Sequence, residues 1–215
     1  MIVNHALASH DDWLAERKKR IGGSDAAAVI GVNPYLTNQD LFLIKTGGKA
    51  QKDISGEWYV KYGIAAEPLL RELFALDFPR YKVFYEENNL FVNDEYPFAH
   101  ASLDGWLKDA DGNKGVLEIK TTNIVNSAQK TLWNEHIPDN YYAQILHNMA
   151  VMDADFAVLK AQLKWEIHED VFMQTKHYTF TRAEVSEDIA YLMGEEKKFW
   201  AKKEAGELPP LILPS

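Results

Sequence analysis

The amino-acid sequence predicts an α/β fold of the α+β type, in which a central mixed β-sheet is flanked by helices. Helix-forming segments dominate both ends of the chain and strand-forming residues concentrate in its middle, an order typical of layered folds. The 215 residues are 47% hydrophobic, which is sufficient for one sizeable core. Because no internal repeat or linker interrupts the sequence, we expect a single domain over residues 1–215.

Four helices are predicted before the strand-rich region, over residues 11–20, 25–30, 38–46 and 58–78. The first three begin at or after good N-cap residues, which are Asp11 or Asp12, Ser24 and Thr37. Each of these three is followed by glycine, a residue that commonly ends helices. Pro68 lies inside the fourth helix and is expected to kink or divide it, because proline cannot donate the helical hydrogen bond.

The strand-rich region reads as an antiparallel meander, because its three β-forming segments are separated by Asn-Asp and Asp-Gly turns. Its segments are residues 81–92, 96–107 and 115–122. The elements that follow are helices over 126–134 and 139–152, strands over 156–163 and 171–180, and a C-terminal helix over about 182–205. The last helix has sequence signals at both ends, since Thr181 and Glu184 have the spacing of a capping box and Gly206 follows its last residue.

Composition excludes several kinds of site. The chain has no cysteine, so disulfides, thiolate zinc sites and iron-sulfur clusters are excluded. The formal net charge of -9 argues against broad attraction to nucleic acid, so any DNA contact must be local. The run Arg17 to Arg20 is the candidate for such a contact; the alternative is a solvated helix end. No apolar run approaches the ~18 residues of a membrane span, so we expect a soluble, cytoplasmic protein without a membrane partner.

Two carboxylates are expected to meet across a hairpin. Asp104 and Glu118 lie on either side of a turn near Asp111-Gly112, which brings Asp104 opposite residue 118 or 119. Two carboxylates that are paired across a hairpin lie close enough to repel each other, so a cation must lie between them. Lys120 lies on the same strand face as Glu118 and supplies part of that charge, and Mg²⁺ would supply more. The alternative is a turn aspartate and an exposed Glu-Lys pair on a wet sheet face.

Two further polar residues lie among apolar neighbours. Glu67 shares a helical stripe with Ile64, Leu70 and Phe74, a face expected to pack inward, where unpaired carboxylates are rare. Its alternative interpretation is an acid in the first helical turn beside Pro68. Gln144 follows helical spacing with apolar residues, and on this pattern alone an ordinary core or surface amide is the default interpretation. His100 and His147 fall near these residues, where we expect packed or hydrogen-bonded histidines rather than ligands.

In this order, Glu67 of Gly63-x-x-x-Glu67, Ser102-Leu-Asp104-Gly, Glu118-Ile-Lys120 and Gln144 resemble the PD-(D/E)XK nuclease core, a restriction-endonuclease-like fold. The opening RKKRIGGSDAAAVIGVNPY is similar to the start of the YqaJ-type viral recombinases, the group containing phage lambda exonuclease. This resemblance spans about residues 13 to 152. It implies a nuclease core over about 58–165, DNA-end binding by the helices of residues 11–47, and the C-terminal helix. Leu103 replaces the proline of the "PD" element, a position that varies in the superfamily.

The resemblance implies a Mg²⁺-dependent 5′→3′ exonuclease that digests double-stranded DNA in phage or prophage recombination and leaves 3′ single-stranded tails. Its implied catalytic residues are Glu67, Asp104, Glu118, Lys120 and Gln144. Asp104, Glu118 and the Ile119 carbonyl would bind one Mg²⁺ and Glu67 would help to hold a second, with Mn²⁺ as a substitute. Arg17, Ser24 and Ser102 match the pocket for a terminal 5′-phosphate.

The resemblance also implies partners. The first two are double-stranded DNA ends and a single-strand annealing protein. The third is further copies of the same chain, because relatives form ring-shaped homo-oligomers. All of these would meet in the cytoplasm of the bacterial host cell. Two alternatives use the same fold. One is a PD-(D/E)XK endonuclease or repair nuclease that does not recognise ends, and the other is a noncatalytic DNA-end-binding module.

Overall fold

The computed structural model describes residues 1–213, whose largest unit is a five-stranded sheet. The nine strands in this range are β1 (Ile2–Asn4), β2 (Ile21–Gly22), β3 (Lys82–Phe84), β4 (Phe91–Asn93), β5 (Ala99–His100), β6 (Gly105–Lys108), β7 (Lys114–Asn123), β8 (Phe156–Ile167) and β9 (Asp170–Thr181). The large sheet has the order β3-β6-β7-β8-β9. All its neighbours are antiparallel except β7 and β8, which are parallel. The predicted mixed sheet is therefore confirmed.

Seven helices within residues 1–213 surround this sheet. They are α1 (His10–Arg17), α2 (Gly23–Val29), α3 (Asn38–Lys45), α4 (Trp58–Asp77), α5 (Ser127–Glu135), α6 (Asp139–Met152) and α7 (Arg182–Ala205). Two of them, α5 and α6, form the crossover that the parallel pair β7 and β8 requires. None of the helices in the described range is long and apolar enough to cross a membrane.

The alternation of β7 divides the core into two layers. Leu117 and Ile119 pack with Leu70 and Phe74 of α4 on one face. Val116, on the opposite face, belongs to the larger core formed with α2, α6 and α7. Since side chains two apart share a face, β7 directs Glu118 and Lys120 toward α6, away from the α4 layer.

The first two helices begin at residues other than those predicted, whereas α3 is capped by Thr37 as predicted. Helix α1 has Ser9 as its N-cap, whose hydroxyl accepts the Asp12 N–H at 3.1 Å, and it ends at Arg17. Helix α2 begins at Gly23, so the prediction that Ser24 caps it is wrong. The Asp25 carboxylate accepts the Gly22 N–H at 3.0 Å and thereby fixes the start of the helix two residues earlier than predicted.

Helix α4 differs from its prediction in two respects. It is continuous from Trp58 to Asp77, so Pro68 does not divide it. The carbonyl of Ile64 loses its helical partner at Pro68, but Ile64 is 67% exposed, so water can reach this turn. The same exposure shows that the inward position predicted for Ile64 is wrong. The C-terminal half of α4 packs into the core through Leu70 and Phe74. The N-terminal half contacts the sheet through Tyr62, whose hydroxyl donates to Gln162 of β8 at 2.7 Å.

The predicted meander is only partly correct. Residues 81–92 contribute two strands to different sheets, because β3 joins β6 while β4 pairs with β1. Strand β2 pairs in parallel with β5 in a second small sheet. The hairpin of β6 and β7 is as predicted, with Gly112 in the left-handed conformation (φ 91°) at its turn. The capping box at Thr181 and the end of α7 at Gly206 are also confirmed.

Candidate active site

An open cleft of about 310 Å³ collects most of the candidate side chains. Seven of the eight predicted side chains line it: Arg17, Glu67, Ser102, Asp104, Glu118, Lys120 and Gln144. The eighth, Ser24, lies beside the cleft, where its hydroxyl accepts a hydrogen bond from Arg17 Nη2 at 3.4 Å. Residues spread over about 130 positions of the sequence are thus brought into one concave site, the usual form of a ligand site.

The hairpin register brings the two central carboxylates together. Gly105 is paired with Leu117, so the preceding residue, Asp104, lies beside Glu118 rather than Ile119. Asp104 Oδ2 accepts the Ile119 N–H at 2.7 Å, which fixes the carboxylate against the backbone of β7. The side chain of Ile119 is buried in the α4 layer, so only its backbone is near the site.

Glu118 is 1% exposed, so the interpretation of an exposed Glu-Lys pair on a wet sheet face is wrong. Its Oε1 accepts hydrogen bonds from Lys120 Nζ and from Gln144 Nε2, both at 2.6 Å. Its Oε2 accepts a hydrogen bond from Asn148 Nδ2 at 3.1 Å. A buried carboxylate is costly unless its oxygens are bonded, and these three donors supply that compensation. Gln144 is therefore part of the site rather than an ordinary core amide.

Arg71 connects Glu67 to the chain segment that carries Asp104. Its Nη1 donates to Glu67 Oε1 at 2.9 Å and to the Asp104 carbonyl at 2.7 Å. Its guanidinium also lies over the ring of Tyr85, 3.5 Å from the ring centroid. The sequence analysis missed Arg71, although a Glu-Arg pair four residues apart on one helix was a usable signal.

The acidic groups in the cleft have perturbed pKa values. Burial, opposed by Lys120 and reinforced by Asp104, raises the pKa of Glu118 to about 7. Burial also raises the pKa of Asp104, and burial together with the Asp104 charge raises the pKa of Glu67. Burial by itself would lower the pKa of Lys120, but the charges of Glu118 and Asp104 outweigh it and raise that pKa. These acids therefore favour protonation or a nearby cation.

Trp13 contacts both Arg17 and Ser102 at the cationic end of the cleft. Its indole N–H donates to the Ser102 hydroxyl at 3.2 Å and to the Asn89 carbonyl at 3.0 Å. The guanidinium of Arg17 lies over the same indole, 4.2 Å from its centroid. Trp13 was not predicted, although it is four residues before Arg17 on α1 and therefore on the same helix face.

The basic run predicted as a local DNA contact is partly neutralised. Lys19 and Arg20 both pair with Glu16, at 2.6 and 2.8 Å. Arg17 is the member of the run that lines the cleft. Lys19 and Arg20 are thus engaged by Glu16, and Arg17 is the residue of the run that the structure places in the cleft.

The two histidines near the site are structural, as predicted. His147 is buried, with Nδ1 2.8 Å from Glu196 Oε1 and Nε2 2.9 Å from the His100 carbonyl. His100 is also buried, and it packs against Gly22. Neither lines the cleft.

The donor set fits a hard cation that keeps several non-protein ligands. Within residues 1–213, no three His, Cys, Asp or Glu side chains converge as a ready-made metal cage. Mg²⁺ does not need one, because it is typically bound by one or two carboxylates, with water and phosphate oxygens completing its coordination. Asp104 and Glu118 supply two carboxylates at one position, and burial raises the pKa of both, so a cation between them would favour their charged forms. These residues therefore fit Mg²⁺ or Mn²⁺.

Comparison with known proteins places the chain in a family. Residues 12–155 match the family model described as the YqaJ-like viral recombinase domain. The uncharacterized protein YqaJ of Bacillus subtilis (strain 168) is 28% identical over 221 residues, which cover 99% of this chain and 62% of the relative. The chain thus spans less than two thirds of the length of that relative.

Two solved structures share the fold. An alkaline exonuclease from Laribacter hongkongensis, LHK-Exo, superposes with a TM-score of 0.63 at 18% identity, over 91% of this chain and 93% of that one. A phage-related exonuclease from Haemophilus somnus 129PT gives a TM-score of 0.57 at 14% identity, over 87% and 96% of the two chains. At these identities the likeness establishes the fold, and the predicted fold class is confirmed by it.

Proposed function

The chain belongs to the family of YqaJ-like viral recombinase domains, and on that premise we propose that it is a Mg²⁺-dependent deoxyribonuclease. It would digest double-stranded DNA from the 5′ end and leave 3′ single-stranded tails in phage or prophage recombination. The observation that carries this proposal is the single cleft in which Arg17 and Ser102 lie beside the carboxylates and Lys120. One end of such a cleft suits a terminal phosphate and the other suits a scissile phosphodiester.

Asp104, Glu118 and the Ile119 carbonyl would hold one divalent cation, and Glu67 would help to hold a second. A bound divalent cation supplies Lewis-acid stabilisation of phosphate charge and makes water more acidic. The raised pKa values of all three acids support this assignment, because burial disfavours their charged forms and a bound cation would offset that cost. Mn²⁺ should substitute for Mg²⁺, since both prefer oxygen ligands.

Lys120 and Gln144 would act on the reacting groups as hydrogen-bond donors. With its pKa raised, Lys120 is an ammonium at neutral pH, and its side chain is 21% exposed at the cleft. It can therefore orient the attacking water and stabilise negative charge that develops on the phosphate. Gln144 donates to the same oxygen of Glu118 as Lys120 does, and it can position the water or a phosphate oxygen.

Arg17, Ser24 and Ser102 would bind the terminal 5′-phosphate. The arginine fork can bind two phosphate oxygens at once, and stacking on Trp13 orients it in advance. The hydroxyl of Ser24 accepts a hydrogen bond from Arg17, and that of Ser102 accepts one from Trp13. This binding would select ends over internal positions.

The acidic balance of the chain supports a local rather than a broad DNA contact. With a net charge of -9, a homo-oligomeric ring would keep an acidic exterior while the clefts grip the duplex. We therefore include a ring-shaped homo-oligomer, and an annealing protein that receives the 3′ tail, in the proposal.

Replacing Arg17 with alanine tests the end recognition. On a linear duplex with 5′-phosphates, Arg17→Ala should lower the digestion rate about 10- to 100-fold, the effect of losing a charge-assisted hydrogen bond of ~1.5–3 kcal/mol. On the same duplex with 5′-hydroxyl ends, parent and variant should be equally slow. Lys18→Ala is the matched control, because Lys18 is the exposed neighbour of Arg17 and does not line the cleft. An equal loss on both substrates would remove the phosphate role of Arg17.

A further inference from the structure

Asn148 contacts Glu118 from the opposite side to the cleft. It is 1% exposed and does not line the cleft, whereas Lys120 and Gln144 do. Its Nδ2 donates to Glu118 Oε2, and the two cleft residues share Oε1. The two oxygens of Glu118 therefore differ in their surroundings. Oε2 is bonded from the buried side, and Oε1 is bonded from the side that a ligand can reach.

The buried amide of Asn148 is only half satisfied. Its Oδ1 is buried and has no hydrogen-bond partner among the described residues. Leaving a buried acceptor unpaired is costly, so packing alone would favour an apolar side chain at this position. The donor group of Asn148, directed at Glu118, is the feature that an apolar residue could not supply.

Gly23 leaves the room that Asn148 occupies. A Cβ on residue 23 would lie 2.7 Å from Asn148 Oδ1 and 3.1 Å from Gln144 Cγ. The first turn of α2 therefore packs directly against Asn148 and Gln144 of α6. Any side chain at residue 23 would displace these two side chains. Glycine is required here by close approach rather than by backbone conformation.

We propose that Asn148 is a positioning residue, which holds Glu118 by Oε2 so that Oε1 is presented to a divalent cation. The inference rests on the proposed function, because it assigns cation binding to Glu118. Groups that orient a metal-binding carboxylate typically contribute 10- to 100-fold to metal affinity or activity. Asn148 acts through Glu118 and does not itself contact the substrate or the cation.

Calorimetric titration of the purified full chain with Mn²⁺, without DNA, tests this role. Asn148→Ala should weaken Mn²⁺ binding by about 10- to 100-fold. Asn93→Ala is the matched control, since Asn93 is also buried and also donates to α6, through Val151 O at 3.1 Å, but does not contact Glu118. The control should bind Mn²⁺ like the parent. Equal Mn²⁺ affinities of Asn148→Ala and the parent would overturn the inference.

Digestion of a linear duplex at increasing Mg²⁺ separates positioning from general damage. The Mg²⁺ concentration for half-maximal rate should rise in Asn148→Ala by a factor similar to the loss in Mn²⁺ affinity, and the rate at saturating Mg²⁺ should approach that of the parent. A rate lowered equally at every Mg²⁺ concentration would contradict the positioning role. If the parent binds Mn²⁺ but digests no DNA, the proposed function fails while the titration still decides the role of Asn148.

Gly23→Ala provides a second route if Asn148→Ala does not fold. This variant keeps the Asn148 amide, but the added Cβ would displace that amide from its position beside Glu118. It should therefore also weaken Mn²⁺ binding. Gly194→Ala on α7 is its control, because a Cβ there meets no atom within 4 Å. Unchanged Mn²⁺ affinity in a folded Gly23→Ala variant would also count against the inference.

Discussion

Lys120→Ala should lower the rate of Mg²⁺-dependent digestion of a linear duplex by about 10²- to 10⁴-fold, the range for loss of a positioned proton-transfer or charge-stabilising group. Lys120 is the only ammonium on Glu118 among the described residues, and its nitrogen lies 2.6 Å from Glu118 Oε1 at the cleft. The variant keeps Gln144 and Asn148 as donors to Glu118, so the fold should persist. Single-turnover rates at saturating Mg²⁺ measure the effect.

Lys114→Ala is the control for this substitution. Lys114 is an exposed lysine at the start of the same strand, β7, so its loss changes the net charge equally without touching the cleft. Its digestion rate should match that of the parent. A Lys120→Ala variant that also digests at the parental rate would refute the catalytic assignment of Lys120.

Glu118→Gln should abolish binding of the divalent cation and reduce digestion by more than about 100-fold, because it removes a carboxylate that we propose as a ligand rather than a group that supports one. Glutamine has nearly the same shape, so the variant should fold. Mn²⁺ titration and digestion assays measure the two losses. Glu72→Gln, which removes an exposed carboxylate from α4, should affect neither.

The same substitution should change how stability depends on pH. The pKa of Glu118 is raised from 4.5 to about 7 by burial, so its protonated form contributes stability that is complete below about pH 4.5 and is lost as pH rises through about 7. In EDTA, the melting temperature of the parent should therefore fall between pH 5 and pH 8. The fall should be smaller in Glu118→Gln, which cannot ionise there. An identical fall in both proteins would contradict the raised pKa of Glu118.

The local part of the site was predictable from the sequence. The period of two along a strand placed Glu118 and Lys120 on one face, and the Asp-Gly turn set the hairpin that brings Asp104 to them. The register was ambiguous by one residue, because the turn alone does not fix which backbone groups pair. The carboxylate of Asp104, bonded to the Ile119 N–H, is part of what fixes it.

The contacts that complete the site depend on tertiary packing. Asn148 reaches Glu118 across 30 residues, and Arg71 reaches the Asp104 carbonyl across 33, so no spacing rule connects them. The outward position of Ile64 has a similar cause, since a helical stripe predicts burial only where the helix has something to cover. The pairing of Glu16 with Lys19 and Arg20 differs from these contacts, because it has the i,i+3 and i,i+4 spacing of a helical turn and was therefore available in the sequence.

The most direct test is digestion of one plasmid in two forms, linear with 5′-phosphates and covalently closed circular, in Mg²⁺ and in EDTA. A metal-dependent exonuclease that recognises ends should degrade the linear form in Mg²⁺, leave the circle intact and degrade neither in EDTA. Cleavage of the closed circle would indicate an endonuclease with the same site. Persistence of the linear form in Mg²⁺ would contradict nuclease activity and leave a module that binds DNA ends.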